Sequence, residues 1–233
     1  MKKYDAVIFD LDGVICATDR LQFQAWQAVA GPLGITLDEA VTDRLRGVST
    51  EACLDIVLEG RSFDREEREA LMEKKRAAYR ELLRTLGPAD LRDEVRDTLW
   101  ELRARGYRLA LGSSSGEAGF ILERIGLGDF FDAVVSGADL TRAKPDPEVF
   151  LTAAGRLGVL PEDCAVVEDA RAGIQAARAG GMTALALFGS ARGCGLEDYN
   201  LTAFHNLLQI LPGFGPFYGW EAVEISKTFI HTA

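Results

Sequence analysis

The sequence has no apolar run long enough to span a membrane, and its N-terminal stretch is interrupted by Asp5 and Asp10, so neither a signal peptide nor a membrane span is expected there. Cysteine is scarce. Cys16, Cys53, Cys164 and Cys194 are widely spaced with no CxxC pair, so no disulfide framework is expected and a reducing, cytoplasmic setting is. Positive charge is short as well: 26 Lys plus Arg against 36 Asp plus Glu leave a net charge of -10 over 233 residues. Such a chain repels nucleic acid and anionic membranes. A small anionic partner would need a local site with its own cations. The glycine-rich segment at residues 189–195 lacks GxGxxG spacing and supports no dinucleotide site. The sequon at Asn200 carries no weight in a cytoplasmic chain, and no internal repeat is present.

What the sequence does contain is a series of short apolar runs that stop abruptly. Residues 6–9 end at Asp10, residues 109–111 run into Gly112 and three serines, and residues 165–167 precede Glu168 and Asp169. Residues 133–135 and 184–187 form two more. Each reads as a buried strand whose tip emerges at an edge. Helical patterns separate them: Val95, Leu99 and Leu102; Ile121, Leu122 and Ile125; Phe150, Ala154 and Leu157. Alternation of this kind predicts a parallel sheet covered on both faces. Residues 17 to about 90 contain no convincing strand, while Phe23, Trp26 and Ala30 have helical spacing and residues 64–86 form a charged amphipathic pattern. This segment reads as an inserted helical module with a return hinge near Pro88.

Ligands of open parallel sheets bind beyond the carboxyl ends of the strands. Those tips would carry Asp10, Asp12, Ser113, Glu168 and Asp169, with Lys144 in the loop after the third strand. Clustered carboxylates repel one another unless a hard cation sits among them, and magnesium suits such oxygens. Asp10, Asp12, Glu168 and Asp169 are the candidate metal ligands. Phosphoryl transfer requires positioning, charge neutralisation and an in-line nucleophile. Asp10 can serve as that nucleophile, and Asp12, two residues on, as general acid and base. Ser113, Ser114 and Lys144 can hold phosphate oxygens.

The motifs FDLDGV at 9–14, LGSSS around Ser113, AKPDPEVF around Lys144 and VVEDA around Glu168 and Asp169 occur in the order seen in the haloacid dehalogenase superfamily, which the chain resembles over residues 6 to about 185. Asp12 and Asp169 point to its magnesium-dependent phosphatase and phosphomutase branches. FQAW at 23–26, RGVS at 46–49, PADL at 88–91 and VEDARAGIQAA resemble the β-phosphoglucomutase group. That resemblance implies an α/β fold, a Rossmann-like parallel sheet core of residues 1–15 and 90–211 with an all-helical cap at 16–89. The tail at 212–233 has no assigned role. The resemblance also places Thr18 at the cap hinge and turns Trp26, Gly47, Val48, Ser49, Thr50 and Lys75 toward substrate. Two positions depart from the mutase pattern: Gln22 stands where the mutase has a histidine, and Thr50 where it has an arginine that grips the substrate's distal phosphate. The expected protein is a monomeric, magnesium-dependent phosphatase acting on a small phosphorylated metabolite, a sugar phosphate above all, through an aspartyl-phosphate. A sugar phosphomutase is the alternative, and a non-catalytic sensor of a phosphorylated ligand is a third reading that the intact acids argue against.

Overall fold

The computed structural model describes residues 4–38, 41, 44–45 and 50–213. Six parallel strands form one sheet: β1 (Ala6–Phe9), β2 (Arg108–Gly112), β3 (Ala133–Val135), β4 (Cys164–Glu168), β5 (Thr183–Leu187) and β6 (Tyr199–Leu201). Their order is β3-β2-β1-β4-β5-β6, so the chain reverses direction beside β1. Residues of β1 alternate between two cores, as the period of a strand requires. Val7 and Phe9 join one cluster with Val95, Leu99, Ile121 and Leu122 from α4 (Asp93–Ala104) and α5 (Ala118–Arg124). Ala6 and Ile8 join the other with Phe150, Ala154, Ile174 and Ala177 from α6 (Glu148–Leu157) and α7 (Arg171–Ala179). Burial on both faces accounts for the continuously apolar strands. A short helix, α8 (Leu207–Ile210), follows β6.

β6 is a strand that the sequence reading passed over. It is only three residues long, mixes polar with apolar side chains, and pairs on one side with β5.

No strand occurs among the described residues between β1 and β2. Instead come α1 (Asp19–Ala30), α2 (Thr50–Leu58) and α3 (Arg65–Leu83). α3 begins in a capping box, with Asp64 accepting from the Glu67 amide and Glu67 accepting from the Asp64 amide. The three helices enclose their own apolar cluster around Trp26, Val29, Leu54, Val57, Leu58 and Met72. This is the inserted helical cap. Near its exit, the Arg124 guanidinium of α5 donates to the Leu86 carbonyl (2.9 and 2.5 Å) and the Arg84 carbonyl (2.9 Å), followed by a 3-10 turn at Pro88–Asp90. Of the expected tail only Pro212 and Gly213 are described, and the Tyr107 hydroxyl donates to the Pro212 carbonyl at 3.1 Å.

Candidate active site

Asp10 is the first residue past β1, and its amide donates to the Val167 carbonyl at 3.0 Å, which holds it in register with β4. The chain then turns tightly. The amides of Ile15 and Cys16 donate to the Leu11 carbonyl at 3.0 and 3.1 Å. Gly13 has φ 85, and a Cβ there would sit 2.2 Å from Asp169 Oδ2. Glycine is therefore required twice, by the backbone and by the close approach of an acid.

The buried Lys144 Nζ lies 2.5 Å from Asp10 Oδ1, 2.5 Å from Glu168 Oε1 and 3.3 Å from the Gly112 carbonyl. Burial works against its charge, but Asp10 and Glu168 outweigh burial and hold its pKa above the ordinary lysine value. Asp169 completes the group, for oxygens of Asp10, Glu168 and Asp169 all lie within 4.8 Å of one another. Even with Lys144 against it, burial pushes the Asp10 carboxyl from 3.8 up to about 8, reinforced by Glu168 and Asp12. The cleft is lined by five carboxylates and two ammonium groups, and its volume is about 140 Å³. A buried, all-oxygen donor set with this excess of acid fits a divalent cation such as magnesium.

Asp12 sits elsewhere. Its carboxylate accepts from the Thr18 hydroxyl in a short contact and from the Tyr79 hydroxyl at 3.4 Å. Burial raises its pKa, against the Thr18 hydrogen bond. Of the four acids expected around a metal, three share the cluster, and the side chain of Asp12 faces the cap.

The seryl turn also differs in detail. Ser113 is fully buried, its amide donates to the Val135 carbonyl at 3.0 Å, and its hydroxyl accepts from the Ser115 amide at 3.0 Å. Ser114 and Ser115 line the cleft. The cap contributes Gln22, Trp26, Thr50 and Lys75 to the same lining. Lys75 Nζ donates to Gln22 Oε1 at 2.5 Å and stands over the rings of Tyr79 (4.6 Å) and Trp26 (5.4 Å). Burial lowers its pKa, opposed by Asp12. Gly47, Val48 and Ser49 lie outside the described residues.

Tyr79, Asp19 and Ser115 are site residues that sequence reasoning missed. A signal existed for Tyr79: it follows Lys75 by four positions, one turn along the same helix face. Burial pushes its phenol well above the ordinary range, so the hydroxyl stays a donor to Asp12.

A parallel sheet that presents a buried carboxylate, a lysine and a buried acidic cluster at its strand tips, beneath a helical cap, fits an enzyme of phosphoryl transfer. The chain belongs to the haloacid dehalogenase-like hydrolase family, whose model matches residues 4–181. Within it the enzyme is a phosphatase or phosphomutase. It is 40% identical to a β-phosphoglucomutase of Bacillus subtilis over 184 residues, covering 77% of this chain and 81% of that one. It is 37% identical to the fructose-1-phosphate phosphatase YqaB of Escherichia coli over 184 residues, covering 79% of this chain and 96% of that protein. A β-phosphoglucomutase structure from Clostridium difficile superposes with TM-score 0.81 at 30% identity, over 88% of this chain and 93% of that one. Among the described residues, no helix is long and apolar enough to cross a membrane.

Proposed function

We propose that this enzyme is a magnesium-dependent phosphatase for a small sugar monophosphate, working through an aspartyl-phosphate on Asp10. The observation that carries the reading is the buried Asp10 carboxylate held 2.5 Å from Lys144 at the floor of a capped cleft. Asp10, Glu168 and Asp169 would hold the metal, which supplies positive charge against the phosphoryl oxygens. Lys144 and the turn at Ser113, Ser114 and Ser115 orient those oxygens. The Asp10 carboxylate attacks phosphorus in line as the bond from phosphorus to the sugar oxygen breaks. Asp12 gives its proton to the departing oxygen, and its burial-raised pKa suits a proton-bearing acid. Water then attacks the phosphorus and passes a proton to Asp12, which frees Asp10 and inorganic phosphate. Closure of the cap over the cleft would exclude other water.

Hydrolysis is favoured over isomerisation by the cap wall. A mutase must grip the phosphate that is not reacting. Among the described cap residues lining the cleft, Lys75 is the one cation, and it is already paired with Gln22. Thr50 brings a neutral hydroxyl. The identity to the Bacillus subtilis enzyme favours the second reading, β-phosphoglucomutase activity. The reading includes a cytoplasmic monomer, and the cytoplasmic setting accords with four free cysteines.

The deciding experiment supplies β-glucose 1-phosphate and fructose 1-phosphate, with a catalytic amount of glucose 1,6-bisphosphate. Phosphate release and glucose 6-phosphate formation are followed together, and release is expected to dominate. A Gln22→His, Thr50→Arg double variant should shift the balance toward isomerisation. The new guanidinium contact contributes about 1.5–3 kcal/mol, or about 10- to 150-fold in binding. Isomerisation much faster than release in the unmodified enzyme would make it a mutase.

A further inference from the structure

The segment that follows β5 has no part in the chemistry above, yet it grips one of the candidate metal ligands. Phe188 adopts φ 62, ψ -163, a backbone conformation populated almost entirely by glycine. Its ring is partly buried against the larger of the sheet's two cores. Gly189, next in the chain, has φ 51, and a Cβ there would meet the Asp169 carbonyl oxygen at 2.2 Å and the Asp169 Cβ at 3.4 Å. The Ala191 amide donates to that same carbonyl at 2.9 Å, and the Arg171 amide donates to Ser190 Oγ at 3.1 Å. Gly13 closes on the Asp169 carboxylate from the turn after β1, with room for no Cβ. Asp169 is thus held by its backbone from the 188–191 segment, and its carboxylate lies close against the nucleophile turn.

A side-chain-bearing residue stays in such a conformation only where its surroundings over-determine it. Here the ring is anchored in the core at one end of the segment, and the Gly189–Ala191 turn is clamped to Asp169 at the other. Glycine at 188 would adopt the same conformation without strain, but it would also admit many others and remove the ring's anchor. We propose that Phe188 is a positioning residue, which acts through the Gly189–Ala191 turn to fix Asp169 for the divalent cation. The proposal rests on the metal reading given above.

The test is isothermal titration of magnesium into the full-length protein and its Phe188→Gly, Phe188→Leu and Gly189→Ala variants, with circular dichroism confirming each fold. The unmodified protein should bind. Phe188→Leu keeps an apolar anchor and should stay within about twofold of it. Phe188→Gly should bind about 10-fold or more weakly, the scale on which groups that orient metal ligands act. Gly189→Ala, whose new methyl meets the Asp169 carbonyl, should weaken binding on the same scale. A folded Phe188→Gly protein with unchanged magnesium affinity would overturn the proposal. If that variant does not fold, a folded Gly189→Ala protein with unchanged affinity overturns it instead. Absence of magnesium binding by the unmodified protein would remove the metal reading and this inference together.

Discussion

Replacing Lys144 by methionine isolates the charge at the centre of the site. The two side chains have similar length, so packing on the Phe150 ring, 4.7 Å from Nζ, is retained. What disappears is an ammonium 2.5 Å from both Asp10 and Glu168, whose side chains are 9% and 1% exposed. Breaking a buried ion pair from one side costs about 3–5 kcal/mol, because the remaining charge is left without a partner. For a chain of this size each kcal/mol is worth about 2–4 °C, so the metal-free melting temperature should fall by about 6–20 °C. The deficit should be largest above about pH 8 and shrink below it, since Asp10, whose pKa burial already raises to about 8, takes up a proton more readily once Lys144 is gone. Adding Glu168→Gln to Lys144→Met should recover part of the stability by removing one stranded charge, while turnover stays lost. Scanning calorimetry in chelator and a phosphate-release assay read the two effects separately. A Lys144→Met protein that melts within about 2 °C of the parent in buffer above about pH 8, where Asp10 is charged beside the lysine, would refute the argument.

Three further outcomes are expected. Asp12→Ala should slow hydrolysis of sugar phosphates by about 10²–10⁴-fold and that of p-nitrophenyl phosphate by less, because a good leaving group needs little protonation; equal losses would count against the acid role. Chelation should abolish turnover and magnesium should restore it, with calcium a poor substitute because of its looser coordination; full activity in excess chelator would remove the metal from the mechanism. Glu197 accepts from the amides of Gly193 and Leu196, from Asn200 and from Cys194, and these hydrogen bonds outweigh burial and hold its pKa at about 2 against an ordinary 4.5. A depressed pKa stabilises above pH 4.5 and is lost as pH falls toward 2, so Glu197→Gln should flatten the acid-side decline in melting temperature over that window. An unchanged acid slope would show that the hydrogen bonds contribute nothing to stability.

The strand tips were legible because the chemistry restricts them to a few residue types, each placed by an apolar run that must be a buried strand. Asp10, Lys144, Glu168 and Asp169 meet within a few ångströms although 134 residues separate the first two. Hydrophobic periodicity also marked α4, α5 and α6 and the helical nature of the cap. Other features depend on side-chain direction, which periodicity does not carry. Gln22 and Lys75, 53 residues apart, meet because α1 packs on α3. Asp12 turns toward the hydroxyls of Thr18 and Tyr79, and the second of these, 67 residues away, is brought near only by the fold. β6 is too short for alternation to register, and the strained φ at Phe188 has no trace in residue type, which on its own would argue against that conformation.

The cap's separate interior has an evolutionary consequence. Val29, Leu54, Val57 and Met72 belong to a cluster that includes no residue of β1, β2 or β4, so substitutions there should leave the pairing of β1 with β2 and β4 in place. On the function proposed above, the machinery at the strand tips and the cap wall would answer to different selective pressures, and exchange at Gln22 or Thr50, which line the cleft, would leave the strand tips unchanged. The exchange has a boundary. Ala25 of α1 and Tyr79 and Leu83 of α3 pack with the sheet's own core, so a cap transplanted from a relative must arrive with side chains that fill those places, or the graft will loosen at its seam.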